Sequence, residues 1–250
     1  MSNALGYSSL TKLMFVVYRR ADITHEECIA RWGDRQHIGI VEKVPALIKH
    51  LHDEVTQLPG PAAADGIGEL WYPSEEAMNA ALTSPEFAAA FEDGRRFADM
   101  DKSYAVVVRE KRIIDDQLRA IEQHWAYWSA HDMDRLLSLF TEDVIYEDVT
   151  MGVVNRGVAQ LRAFAEGFFS GFPDATFELR SGFADGSIGG GEWIMRGTHK
   201  GDLPGMPATG KRMEVRGSSI FEFEGTKIRR CSDYWNMVTL LTQLGFMAAT

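Results

Sequence analysis

The sequence predicts an α+β protein built from two successive units. The first, over residues 1–112, has the βαββαβ order of the ferredoxin-like plan. The second, over residues 113–250, places helices ahead of a curved antiparallel sheet. Strand and helix signals alternate in the first half, whereas three helical stretches precede four long strand candidates in the second. The change falls between Arg112 and Asp115 with no Gly/Ser/Pro linker, so the halves are expected to be closely coupled.

In the first unit, "KLMFVVYRR" (Lys12–Arg20) is rich in β-branched and aromatic residues and reads as a strand. "DITHEECIARWGDRQH" follows as a helix, with Asp22 or Thr24 as its cap and Cys28, Ile29 and Trp32 at helical spacing. "PALIKHLHDEV" and "GIGELWYP" are strands, the second ended by Pro73. "SEEAMNAALTS" opens a helix at Ser74, "PEFAAAFEDGRRF" opens another at Pro85, and "SYAVVVREKRI" is the fourth strand. In the second unit, "DDQLRAIEQHWAYWSAHDMDRLLSLF" is helical, with Leu118, Ile121, Trp125 and Trp128 on one apolar face and Leu136, Leu137 and Phe140 on another. "DVIYEDV" alternates as a strand and "GVAQLRAFAEGFFSGF" is a helix. Then come "ATFELRSGFADG", "GEWIMRGTHKG", "RMEVRGSSIFEFEG" and "KIRRCSDYWNMV" as strands, with "TLLTQLGF" as a terminal helix.

Composition excludes several classes of function. With 36 acidic against 26 basic residues the formal charge is −10, and Lys227, Arg229 and Arg230 are too small a patch for a phosphate backbone, so no nucleic acid is expected. Cys28 and Cys231 stand far apart and in no metal-ligand spacing, so neither a disulfide framework nor a metal is expected. No dinucleotide, phosphate-loop or nucleophile-elbow motif occurs. "IGGGEW" lies between strands and reads as a hairpin turn, so no cofactor is expected. "MSNALGYSSLTK" lacks a signal-peptide pattern and no apolar run is long enough to span a bilayer, which makes a cytoplasmic protein without membrane contact the expectation.

Polar residues inside strand patterns are the candidates for chemistry. In "KIRRCSDYWNMV", strict alternation puts Ile228, Arg230, Ser232 and Tyr234 on one face and Arg229, Cys231, Asp233 and Trp235 on the other. Asp233 therefore keeps apolar company. It is either paired there or a carboxylate whose pKa is raised by desolvation, as a base toward carbon acids requires. His199 shares a face with Trp193, Met195 and Gly197, and is either a structural or a functional inward histidine. Tyr146 and Asp148 end their strand on the face of Val144, where edge hydrogen bonding is the alternative to function.

"GVVNRGVAQLRAFAEGFFSGFPDATFEL" and "RGTHKGDLPGMPATGKRMEVRGSSIFEFEGTKIRRCSDYWNMVTLLTQLG" resemble the SnoaL-like polyketide cyclases of the nuclear-transport-factor-2-like superfamily, over roughly Ile114–Phe246. "ARWGDRQHIGIVEKVPAL" and "ELWYPSEEAMNAALTSPEFAAAFEDGRRFADM" more loosely resemble EthD-like dimeric α+β barrels, with Trp32 and His37 in the W-x(n)-H and Asp93 and Phe97 in the D-x-x-x-F. The first resemblance implies a cone-shaped pocket in the second unit. It puts the proton-abstracting aspartate of the cyclases at Asp233, His199 near the wall, and Ser219 where the cyclases carry a histidine. Ser219 can donate a hydrogen bond but cannot bring a positive charge to an enolate.

The implied function is cofactor-free acid–base chemistry (a cyclase, isomerase or lyase) on a polyketide-like or aromatic carbonyl compound. Asp233, His199, Ser219 and Tyr146 are its catalytic candidates. Asp148, Trp193, Met195, Tyr234, Trp235 and Phe168 would bind a hydrophobic or aromatic small molecule. A non-catalytic binding protein and a dimeric scaffold are the alternatives. A homodimer is expected, and dimerisation is the preferred role of the EthD-like half. The position of His37 at a helix end gives that residue a reading through the helix dipole as well as a catalytic one.

Overall fold

The computed structural model describes residues 10–56, 64–110 and 113–248. The opening residues read for a leader, and the boundary residue at 112, lie outside them. Two compact units emerge, residues 1–113 and 114–250.

The N-terminal unit runs β1 (Thr11–Val17), α1 (His25–Trp32), α2 (Arg35–Val41), β2 (Lys49–Glu54), β3 (Gly66–Tyr72), α3 (Glu75–Leu82), α4 (Pro85–Gly94) and β4 (Tyr104–Val108). Its antiparallel sheet has the order β2-β3-β1-β4, the ferredoxin-like arrangement. Of the two caps weighed for α1, Thr24 is the one used, in a capping box with Glu27. The single helix expected over "DITHEECIARWGDRQH" is two. Gly33 ends α1, and the Asp34 side chain accepts the His37 amide to start α2. His37 therefore lies not at the end of a helix but in the first turn of one, where the dipole disfavours a cation, contrary to the expectation from the sequence. Leu13 and Val17 of β1 and Leu70 and Tyr72 of β3 turn toward the helices and are buried.

The C-terminal unit runs α5 (Asp116–Ala130), α6 (Met133–Ser138), β5 (Phe140–Asp148), β6 (Val153–Arg156), α7 (Gly157–Gly171), β7 (Thr176–Asp185), β8 (Ile188–Thr198), β9 (Arg212–Glu224), β10 (Lys227–Trp235) and α8 (Met237–Leu244). Asp115 caps α5, and His131 breaks the helix in the left-handed region at φ 54° before Asp132 caps α6. The sheet order is β6-β5-β10-β9-β8-β7, antiparallel except where β10 pairs parallel to β5. The short β6 was not anticipated from the sequence.

One expected alternation is corrected. The register of β10 shifts between Ile228 and Arg230 on both of its neighbours. The extra residue moves Ile228 to the inward side, where it is fully buried with Cys231, and turns Arg229 outward to Glu222. Beyond the bulge the register brings Gly191, Ser219, Asp233 and Asp148 into one row across β8, β9, β10 and β5. The next row on that face is Trp193, Gly217 and Trp235. A Cβ at Gly217 would overlap the Trp193 ring, so the glycine lets the indole lie flat across β9.

The core between α5 and the sheet is aromatic, with Trp125, Trp128, Phe140, Tyr146, Phe172 and Phe221 all buried. His124 is wholly enclosed in it, edge-on to Trp125, Phe140 and Phe221, and neither ring nitrogen has a hydrogen-bond partner among the described residues. No described helix is long and apolar enough to cross a membrane.

Burial pushes the His124 pKa down to about 3. The unfolded chain therefore takes up this proton first, and the stability tied to neutral His124 is lost as pH falls from about 6.5 toward 3. His124→Leu removes an unpaired buried polar group and is expected to raise stability at pH 7 by about 1–3 kcal/mol. The gap should widen on acidification by up to about 1.4 kcal/mol per pH unit. Denaturant titrations of both proteins at pH 7, 6 and 5 check this; a gap that narrows with acid would refute it.

Candidate active site

In the row Ser219–Asp233–Asp148, the two carboxylates border a cavity of about 570 Å³ in the C-terminal unit. Asp233 and Asp148 reach it from β10 and β5, and Tyr146 from β5. The apolar wall comes from α5, α7 and the sheet, with Trp125, Trp128, Phe168, Trp193 and Met195 among its residues. The Gly/Pro stretch after β8 forms part of the rim through Leu203, Pro204 and Met206. That rim hangs on α7, because Lys200 and Gly201 both donate their amides to the Gly171 carbonyl.

Asp233 is 7% exposed and held by three donors. Ser219 Oγ donates to Oδ1 at 2.5 Å, Cys231 Sγ to the same oxygen at 3.5 Å, and the Tyr146 hydroxyl donates to Oδ2. Ser219 in turn accepts the Trp193 indole N–H at 2.8 Å. Burial raises the Asp233 pKa to about 6, because desolvation outweighs the hydrogen bonds from Ser219 and Tyr146, and Asp148 adds a like charge nearby. The Tyr146 hydroxyl is pushed well above its usual pKa by burial and by the charge of Asp233, so it stays a donor. Asp148 accepts the Trp235 indole N–H at 3.0 and 3.1 Å and the Met151 amide at 2.8 Å. Burial raises its pKa as well.

A carboxylate offers about four lone-pair sites. Two on Oδ1 are used by Ser219 and Cys231 and one on Oδ2 by Tyr146, which leaves one lone pair on Oδ2. The arrangement can therefore accept one proton from a molecule in the cavity without breaking a bond to the protein.

Of the residues singled out from the sequence, Asp233, Tyr146, Asp148, Trp193, Met195, Trp235 and Phe168 border the cavity together. Three others do not. His199 is fully buried behind the rim, stacked on Phe172, with Nδ1 3.3 Å from Thr209 Oγ1 and its backbone bonded to Lys211 and Gly210. It anchors the loop from outside the wall. Ser219 is spent on Asp233 and Trp193, so it positions the carboxylate and does not meet a ligand oxygen. Tyr234 is 44% exposed on the opposite face of β10. Its place one residue after Asp233 already implied that side of the strand. Cys231 as a third donor was not foreseen; its position two residues before Asp233 was the available signal.

Residues 118–244 match the family model of the SnoaL-like polyketide cyclases, and residues 20–101 match that of the EthD domain. No curated protein matches the chain significantly. Among solved structures, a protein from Jannaschia sp. CCS1 assigned to the SnoaL-like polyketide cyclases is 16% identical, with 57% of this chain and all of that one covered at a TM-score of 0.50. One from Pseudomonas putida KT2440, assigned as a polyketide cyclase, is 26% identical over 51% of this chain and 96% of that one, with a TM-score of 0.46. AclR from Streptomyces galilaeus, assigned as a hydroxylase, is 21% identical over 54% of this chain and 84% of that one, with a TM-score of 0.48. Of these only the Jannaschia protein reaches a TM-score of 0.50, and at 16% identity its likeness speaks to the fold alone. The family match spans just over half of the sequence, and on that ground the chain belongs to the SnoaL-like polyketide cyclases, with an EthD domain ahead of the matched region.

Proposed function

We propose that the chain is a cofactor-free acid–base enzyme, a cytoplasmic cyclase, isomerase or lyase, acting on a polyketide-like or aromatic carbonyl compound with Asp233 as general base. The observation that carries this reading is a cavity-facing carboxylate with one lone pair left and a pKa of about 6. At neutral pH such a group is ionised, yet it is roughly a hundredfold more basic than an ordinary aspartate. Asp233 removes a proton from the carbon beside the carbonyl. The carboxyl group so formed needs the Tyr146 hydrogen bond less than the carboxylate did. The Tyr146 hydroxyl can then turn to the enolate oxygen, and the same proton is returned to carbon or to a leaving oxygen. Asp148, fixed by Trp235 and the Met151 amide, is the polar contact that orients the substrate.

A binding protein is the second reading, and one observation favours it: three donors on one carboxylate also describe a group that is merely well satisfied. Turnover separates the two. Aromatic β-keto esters incubated with wild type are expected to give a product by mass spectrometry, and Asp233→Asn, which keeps the shape, to lower its rate by about 10²–10⁴-fold. Asp233→Asn turnover within tenfold of wild type would sink the base assignment. Ligand-induced thermal protection without any product would support the binder.

The pH profile gives an independent check. With Asp233 as base, kcat/KM rises with pH and levels off above about 6. Tyr146→Phe removes a donor from the carboxylate, a bond to a charge worth about 1.5–3 kcal/mol, so the rising limb should move up by about one to two pH units. An unmoved limb in Tyr146→Phe would disconnect the profile from Asp233.

The same reading makes the chain a homodimer. On the N-terminal sheet, Tyr104 and Val106 of β4 stand exposed beside Val16 and Met14 on the face away from the helices. Sedimentation of the full chain should give about twice the 28.0 kDa monomer mass; a monomer at micromolar concentration would remove this part.

A further inference from the structure

The N-terminal unit has a cavity of its own, of about 90 Å³, between the sheet and the helices α1, α2 and α4. Its lining includes Phe15, Trp32, Phe87, Phe91 and Phe97, with His37 and His50 as its imidazoles. Trp32, His37, Asp93 and Phe97 are the four residues of the two short motifs noted in the sequence, and they are assembled here. The Trp32 and Phe97 rings lie 6.1 Å apart, His37 meets Phe97 edge-on at 4.9 Å, and His37 Nδ1 is 3.0 Å from Asp93 Oδ2.

We propose that this cavity is a second ligand site, one that takes a neutral aromatic hydroxyl as a hydrogen-bond donor to His37 Nε2. Asp93 fixes the imidazole. Its carboxylate also accepts from Gln36 Nε2 at 2.6 Å and from Arg96, whose other branch holds the Asp34 carboxylate at 2.5 Å. A carboxylate so supplied with donors is ionised, and its pKa is held down by the bonds from Gln36, His37 and Arg96 against the cost of burial. An ionised Asp93 can only accept, so the His37 hydrogen sits on Nδ1 and Nε2 is a bare lone pair. Nε2 makes no hydrogen bond among the described residues. Burial holds His37 below its usual pKa, which keeps the ring neutral.

The ligand class follows from what surrounds that lone pair. An acceptor calls for a donor. The five aromatic side chains favour a ring, and a wall with so little polar surface disfavours a charged one. Arg96 offers no free cation to an anion, because Asp34 and Asp93 occupy it. His50 and His52 are paired with each other at 2.9 Å, and no group of three His, Cys, Asp or Glu side chains among the described residues could hold a metal ion. The space is smaller than the roughly 150 Å³ that encloses benzene, so only the hydroxyl end of a ring enters. The remainder lies at the mouth, where Phe91 is 42% exposed. The hydroxyl keeps its hydrogen and shares it with Nε2, so ligand and imidazole both stay neutral, as a wall of this kind requires.

This site does not rest on Asp233, and the test keeps the two apart. The probe is 4-cyanophenol, with its methyl ether, 4-cyanoanisole, as the control that lacks the hydrogen. In the full chain with ¹⁵N-labelled histidine, the His37 ring resonances, assigned by their loss in His37→Gln, should shift saturably with the phenol. The ether should bind roughly tenfold more weakly or not at all, as expected for one lost hydrogen bond. Gly94→Leu fills the cavity: Gly94 lines it, lies outside the left-handed region, and a Cβ there meets nothing nearer than 4.0 Å. That variant should melt like wild type and lose the His37 response, while Asp233→Asn keeps it. If Gly94→Leu does not fold, Ala90→Leu, from the same wall, serves in its place. Unmoved His37 resonances at saturating phenol, an equal response to the ether, or a full response in the filled variant would each overturn the proposal.

Discussion

The C-terminal unit is organised around one unfavourable event, the withdrawal of the Asp233 carboxylate from water. A bare carboxylate in that position would take up a proton, and an exposed one would keep the low pKa of an ordinary aspartate. Three donors from three different positions set the balance between these extremes. Each donor has its own requirement. Ser219 needs the register of β9 on β10, Tyr146 the parallel pairing of β5 on β10, and Cys231 the alternation of β10 itself. The Trp193 indole that holds Ser219 needs the missing side chain at Gly217. A large part of the sheet is thus tied to the ionisation of one group.

Much of the fold was legible because its signals are local. Strand alternation, Ser and Thr before helices, and Pro85 at a first helical turn depend on a few neighbouring residues, and the ferredoxin-like plan of the first unit followed from its order of elements. The parallel pairing of β5 with β10 in the second unit did not. The failures have a physical pattern. The breaks at Gly33 and His131 lie inside stretches whose apolar spacing continues across them, so periodicity ran through both. The bulge at Arg229 leaves no mark in the sequence, because two arginines in a row suit either face of an exposed strand. It misassigned Ile228, yet Cys231, Asp233 and Trp235 kept their side because they lie beyond it.

The candidate site was legible in its centre and less so in its surroundings. The alternation of β10 put Asp233 in apolar company from the sequence alone. How it is held required the neighbouring strands: Ser219 is fourteen residues away and Tyr146 eighty-seven. His199 stayed ambiguous because burial and cavity access look the same in a strand pattern. It is buried, but behind Phe172. A histidine at the Ser219 position would present a cation to the carboxylate, whereas the hydroxyl presents a neutral donor. The basicity of Asp233 in this chain is therefore set mainly by burial.

The parallel pairing of β10 with β5 has a consequence for how such a protein can change. Two strands running the same way release their connections at the same end of the sheet. The chain leaving β5 passes through Met151 and the chain leaving β10 through Met237, and both side chains line the cavity. The two exits are stitched to each other, Thr150 Oγ1 donating to the Trp235 carbonyl and accepting the Trp235 amide. Insertions or exchanges beyond that stitch would reshape what can enter while leaving the rungs that carry Tyr146, Asp148 and Asp233 undisturbed. Descendants of such a chain could diverge in what fits the cavity without first disturbing the hydrogen bonds that hold Asp233.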